Sequence, residues 1–171
     1  MSVGIVLVNP KFGHNIGAAL RACACFGVDQ LFYTGDRVDL RGGKRGTRIP
    51  REERMKGYRT VALKQVESTR DLDLTGYTPV GVEIRPDFQN LVHYQHPLNA
   101  FYFFGPEDGN LPPAVNARMH AHIQIPSFFC LNLAAAVYVT LYDRMAKSVL
   151  SGQPPPEPRP ERELNLEEFG K

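Results

Sequence analysis

Cysteine is scarce in this 171-residue chain, which contains only Cys23, Cys25 and Cys130. Three thiols make no even disulfide set, and no Cys-x-x-Cys pair or His–Cys cluster accompanies them, so the pattern excludes a disulfide scaffold and offers no metal ligand set. The usage suits a reducing cytoplasm, with the three expected as small buried thiols. No apolar run approaches the ~18 residues that a membrane span needs, and no charged stretch followed by an apolar one opens the chain. A soluble, cytoplasmic protein that is not exported is the expectation. A dinucleotide GxGxxG fingerprint and a Walker loop with Gly-Lys-Ser/Thr are both missing, which weakens oxidoreductase and NTPase readings. Internal repeats and coiled-coil heptads are absent as well.

What is present suffices for one ordinary domain, since 43% of the residues are apolar and that is enough to bury a core without staples. The net charge of +2 is small but uneven. Residues 36–60, "DRVDLRGGKRGTRIPREERMKGYRT", hold nine Lys/Arg against four Asp/Glu, which leaves the remainder at −3. Past Gly152 the composition changes to "QPPPEPRPERELNLEEFGK", with five prolines between Pro154 and Pro160. The chain therefore divides into a domain over 1–152 and a Pro-rich tail over 153–171, extended and poor in core-forming residues.

Apolar, β-branched runs recur at "VGIVLV", "QLFYT", "TVALKQV", "TPVGVEI", "AFYFFG" and "AHIQIP", with helix-like segments between several of them. That rhythm predicts an α/β fold with a largely parallel sheet whose strands are covered by helices on both faces. After the first strand, Ile16, Ala19, Leu20 and Cys23 fall at i, i+3, i+4 and i+7 of a helix, with Arg21 on the flank of that stripe. "STRDLDL" starts with a cap-competent Ser68 and an acid three residues later. "LNLAAAVYVTLYDRMAKSVLSG" reads as a long helix ending at Gly152.

In an open α/β sheet, ligands bind beyond the carboxyl ends of the strands, so the loops after each apolar run are where chemistry is expected. Four are unusual. "NPKFGHNIG" can expose backbone amides at a helix N-terminus, although Asn15 there could equally cap the helix. "FGPEDGNLP" combines a glycine that allows close backbone approach, Gly105, with Glu107. "IPSFFCLNLAAA" brings Asn132 to the start of the long helix. "VGVEIRPD" ends a strand in Glu83 and Arg85, where a solvated rim position is the ordinary reading.

Together, "NPKFGHNIGAALRACACFGVDQLFY", "FGPEDGNLP" and "IPSFFCLNLAAAVYVTLYDR" resemble, in that order, the three motifs of the SpoU/TrmH-type RNA 2'-O-ribose methyltransferases of the SPOUT superfamily. The resemblance runs from about residue 3 to 147. It implies a C-terminal trefoil knot, a homodimer, and a pocket for S-adenosyl-L-methionine formed by knot loops beside the dimer interface. By position it implies catalytic roles for Asn15, Arg21 and Asn132, the first two near the substrate ribose and phosphate. It implies cofactor contacts from Val82, Gly105, Glu107, Ile125, Cys130 and Leu131, with the alignment at Val82 looser. Cys130 stands where the family commonly has serine, and a thiol is a poor hydrogen-bond partner, so it does not replace that hydroxyl.

The reaction so implied, transfer of a methyl group from a sulfonium to a ribose oxygen, needs no metal. Positioning and electrostatic stabilisation of the oxygen should supply most of the effect. A guanidinium is a reluctant proton acceptor at neutral pH, so Arg21 is better suited to hold the adjacent phosphate than to act as base. The basic stretch then offers phosphate contacts, with Arg41, Lys44, Arg45 and Arg48 as substrate-binding candidates beside Arg37, Arg51, Arg54 and Arg59. A single-domain chain of this type points to tRNA as substrate, with ribosomal RNA or a non-catalytic RNA-binding dimer as alternatives.

Overall fold

The computed structural model describes residues 2–40, 57–155 and 157. Their apolar runs assemble into one seven-stranded sheet in which every pairing is parallel. The strands are β1 (Val3–Leu7), β2 (Gln30–Tyr33), β3 (Ala62–Gln65), β4 (Thr78–Val82), β5 (Gln89–Asn90), β6 (Ala100–Phe104) and β7 (Ala121–Gln124). Their order is β3-β2-β1-β6-β4-β7-β5. Six of the seven are the expected apolar runs. The two-residue edge strand β5 has no apolar run to announce it.

The helices are α1 (Gly13–Cys25), the short α2 (Pro113–Asn116) and α3 (Leu133–Leu150). On α1 the stripe Ile16, Ala19, Leu20 and Cys23 is fully buried, and Arg21 is exposed beside it. The first residue of α3 follows an Asn132 cap, and its end is closed by Gly152 at φ 90°, whose amide donates to the Val149 carbonyl. Asn132, Oδ1 acting as acceptor, takes the amides of Ala134 (2.9 Å) and Ala135 (3.2 Å), as an N-cap should. "STRDLDL" does carry the reciprocal Ser68–Asp71 capping box, but it caps one 3-10 turn, Thr69–Asp71. Its Leu72 turns into the core instead of continuing a helical stripe.

Helices meet both faces of the sheet, as expected, but cover them unequally. Because side chains alternate along a strand, Ile5, Leu7, Tyr102 and Phe104 face one way and pack with α1 and α3. Val6, Val8, Phe101 and Phe103 face the other way, where they meet Leu72, Leu111 and Val115. Both long helices lie on the first face; α2 and apolar loop residues close the second. The central strands β1 and β6 are accordingly buried at every position. The thiols also differ from expectation. Cys23 is buried, and burial pushes its pKa well up, whereas Cys25 and Cys130 are exposed, the first off the α1 stripe and the second in the loop before α3.

A buried polar chain ties α3 to the segment between β5 and β6. Arg144 donates to the carbonyls of Pro97 (2.6 Å) and Leu98 (2.7 Å) and to the Tyr102 hydroxyl (3.1 Å). Tyr102 in turn donates to His96 Nδ1 (2.6 Å), and His96 Nε2 donates to Asp143 (2.8 Å), which also receives Lys147 (2.6 Å). Those partners fix the neutral tautomer. Burial is the main reason the His96 pKa falls to about 4; the Asp143 hydrogen bond opposes the shift, and the Arg144 charge adds to it. The unfolded chain therefore binds the proton more readily between pH 6.5 and 4. Stability should be full above pH 6.5 and fall by roughly 2–3 kcal/mol as the pH drops to 4. Denaturant titrations at pH 7 and 4.5 measure this, and His96→Gln should flatten that slope.

Candidate active site

The loops that follow β1, β4, β6 and β7 all emerge at the carboxyl edge of the sheet, around the middle of the strand order. The six residues expected to contact a cofactor, Val82, Gly105, Glu107, Ile125, Cys130 and Leu131, line one cavity of about 260 Å³. They come from the end of β4 and from the loops after β6 and β7, far apart in sequence. The wall is mainly apolar with a few polar groups, the usual make-up of a small-molecule site. Gly105 has a steric reason to be glycine. A Cβ there would stand 3.0 Å from the Leu111 amide nitrogen and 3.1 Å from Glu83 Oε1, so a side chain would press the 105–111 turn against the cavity wall.

Behind the cavity the three motifs are joined by side-chain hydrogen bonds. Asn15 is 1% exposed; its Nδ2 donates to Glu107 Oε1 (2.5 Å), and its Oδ1 accepts from Asn132 Nδ2 (2.9 Å). Asn132 caps α3 through its other atom, so the chain of bonds runs from the α3 amides through both asparagines to the Glu107 carboxylate. Glu107 also accepts the amides of Lys11 (2.7 Å) and Phe12 (3.4 Å) at the start of α1. Burial alone would raise its pKa, but the hydrogen bonds from the Lys11 amide and the Asn15 side chain outweigh it and hold the carboxyl below its ordinary value. Asn15 is not a helix cap: α1 begins at Gly13 after Phe12, and Asn15 sits inside the first turn.

Arg21 lies six residues beyond Asn15, about 9 Å along the helix axis, and does not line the cavity. It is exposed, with no partner among the described residues. The structure thus brings Asn15 and Asn132 together and leaves Arg21 apart from them within one chain. Arg41, Lys44, Arg45 and Arg48, with Arg51 and Arg54, lie outside the described residues. Arg37, expected among the phosphate contacts, is paired with Asp108 through its two terminal guanidinium nitrogens (2.9 and 2.7 Å), and Lys11 reaches the same carboxylate at 3.2 Å. The Arg37 hydrogen bond holds the Asp108 pKa far below its usual value. This link between the loops after β1, β2 and β6 has no sequence signal beyond an acid next to Glu107.

The model of a known family, described as SpoU rRNA Methylase family, matches residues 2–142. The chain belongs to the SpoU rRNA Methylase family. Solved structures agree at the level of the fold. The SpoU methyltransferase AviRb from Streptomyces viridochromogenes, in complex with the cofactor AdoMet, is 21% identical with a TM-score of 0.73, over 88% of this chain and 62% of that one. The A. aeolicus TrmH/SpoU tRNA modifying enzyme is 20% identical with a TM-score of 0.73, over 88% and 77%. A structure described by the 2-OH methylation of C/U34 on tRNA is 25% identical with a TM-score of 0.71, over 89% and 98%. This SpoU-family chain spans about three fifths of the length of the AviRb chain it matches. No curated protein sequence matches it.

Proposed function

We propose that this SpoU-family chain is an S-adenosylmethionine-dependent RNA 2'-O-ribose methyltransferase acting on tRNA. The observation that carries the reading is the convergence of Val82, Gly105, Glu107, Ile125, Cys130 and Leu131 on one cavity, backed by the Glu107–Asn15–Asn132 bonds. The cavity fits the cofactor in kind: apolar walls for an adenine ring, a glycine where backbone must come close, and carboxylates with no lysine, arginine or histidine among the described lining residues. When bound, the cofactor supplies an electrophilic methyl group on a cationic sulfur. Glu107 and the two asparagines hold the loop walls around it. Arg21 grips the phosphate next to the acceptor ribose and stabilises the oxygen as its proton leaves.

Similarity to nearly the whole length of the structure concerned with C/U34 of tRNA favours tRNA over ribosomal RNA. A homodimer is part of the same reading. Phe128 and Phe129 in the loop before α3, and Val139 and Tyr142 on it, are exposed, apolar side chains that a second copy would cover. A C-terminal trefoil knot completes it, and the insertion of β6 and β7 between earlier strands in the sheet order is what such threading would require.

The test is incubation of the protein with radiolabelled S-adenosylmethionine and either unmodified tRNA or ribosomal RNA, followed by nuclease digestion. A 2'-O-methylated nucleotide from tRNA is expected. Label only in ribosomal RNA would move the substrate, and cofactor binding without label in either RNA would favour the non-catalytic RNA-binding dimer.

A further inference from the structure

One cavity side chain has no task in the reading above. Glu83 follows β4 and lines the cavity. Its Oε1 accepts the Leu111 amide, whereas Oε2 is buried and has no hydrogen-bond partner among the described residues. An ionised carboxylate offers about four lone-pair sites, and a buried oxygen left unpaired is costly. Glu107, the other carboxylate in the cavity wall, shows the contrast: the Lys11 and Phe12 amides and the Asn15 side chain all donate to it. No cationic side chain lines the cavity among the described residues; Arg85, the cation that acts on Glu83 through space, has its guanidinium paired with Asp87. A Cβ on Gly105 would stand 3.1 Å from Glu83 Oε1, the oxygen that holds Leu111, so the glycine lets this carboxylate and the 105–111 turn meet.

We propose that Glu83 is a cofactor-holding residue whose Oε2 accepts a hydrogen bond from an N–H or O–H donor of S-adenosylmethionine. The inference rests on the cofactor reading above. The ligand completes a polar set that the protein leaves one donor short, and the unpaired oxygen is stability given up in the empty protein for affinity. S-adenosylhomocysteine carries the same donors without the sulfonium charge, so the hydrogen bond serves both ligands alike.

The experiment is calorimetric titration of the full chain, as wild type, Glu83→Gln and Glu83→Ala, with S-adenosylmethionine and with S-adenosylhomocysteine. Melting temperatures without ligand are taken in parallel. Glu83→Ala should raise Kd about tenfold or more for both ligands. Glu83→Gln, which keeps an acceptor for Leu111 but removes the charge, should also weaken both while its ligand-free Tm stays level or rises. A structural role alone would lower Tm and affinity together. Unchanged Kd in both variants, with a wild type that binds, overturns the role of Glu83 and leaves the cofactor reading standing. Weakening confined to S-adenosylmethionine overturns the hydrogen bond in favour of a through-space effect on the sulfonium. A wild type that binds neither ligand removes the cofactor reading, and this inference with it.

Discussion

Arg21→Lys should leave the fold and cofactor affinity intact while turnover with RNA falls by about 10²–10³-fold, the scale of losing one preorganised charge-stabilising group. The separation of effects follows from where Arg21 sits. It is exposed on the flank of α1, outside the buried stripe, and has no partner among the described residues, so nothing that packs the helix depends on it. It does not line the cavity, so the cofactor Kd has no reason to move. A lysine keeps the positive charge but not the planar fork that meets two phosphate oxygens at once. Part of the RNA affinity therefore survives, and the loss appears in the single-turnover methylation rate. Near-normal turnover in Arg21→Lys would remove Arg21 from the reaction. A lowered Tm would show instead that α1 needs the guanidinium for packing.

The reasons some features were legible in the sequence and others not are physical. Strands β1 and β6 are buried on both faces, so "VGIVLV" and "AFYFFG" are the uninterrupted apolar runs expected of covered parallel strands. Strand β5 pairs through two polar residues at the sheet edge, where backbone hydrogen bonds alone define it, and backbone bonds leave no side-chain pattern. Helices meet both faces as expected, but unequally: on the second face only Val115 comes from a helix, α2, and Leu72 and Leu111 bury apolar surface from loops, which have no period to read. In the site, the cavity-wall residues were legible through the motifs they share with the family, and local signals mark only some of them: Pro106 before Glu107 and Pro126 after Ile125 shape their loops. The Arg37–Asp108 pair joins residues 71 apart, and no local pattern encodes such a distance. Glu83 was visible at its strand end, but a rim position and an orphaned cavity oxygen look identical until the Leu111 turn is folded against it.

Asn15→Ala should cost about 2–4 kcal/mol of folding stability, a range set by buried donors and acceptors left without partners. The residue is 1% exposed and works through both ends of its amide. Removing it frees Asn132 Nδ2 on one side and takes from Glu107 a donor on which its charged form depends. Asn15→Asp is the sharper test because it keeps the shape and changes one group. A carboxyl at that position would face Glu107 across a hydrogen-bond distance, and two carboxylates that close do not both ionise, so one pKa rises in the folded state. A group with a raised folded pKa gives stability that is present at low pH and lost as the pH climbs through that value. The Asp variant should therefore be closest to wild type near pH 5 and weakest near pH 8, the reverse of the trend expected from His96. Denaturant titrations across that range give the sign directly. An Asp variant that loses nothing between pH 5 and 8 would mean that Asn15 and Glu107 are not in contact. Because the same bonds hold the Glu107 turn and the α3 cap on opposite sides of the cavity, Asn15→Ala should also weaken S-adenosylmethionine binding, and do so without touching the ligand. Coupling measured against Asn132→Ala tells the two effects apart: a shared chain of bonds makes the double variant less damaging than the two single losses combined.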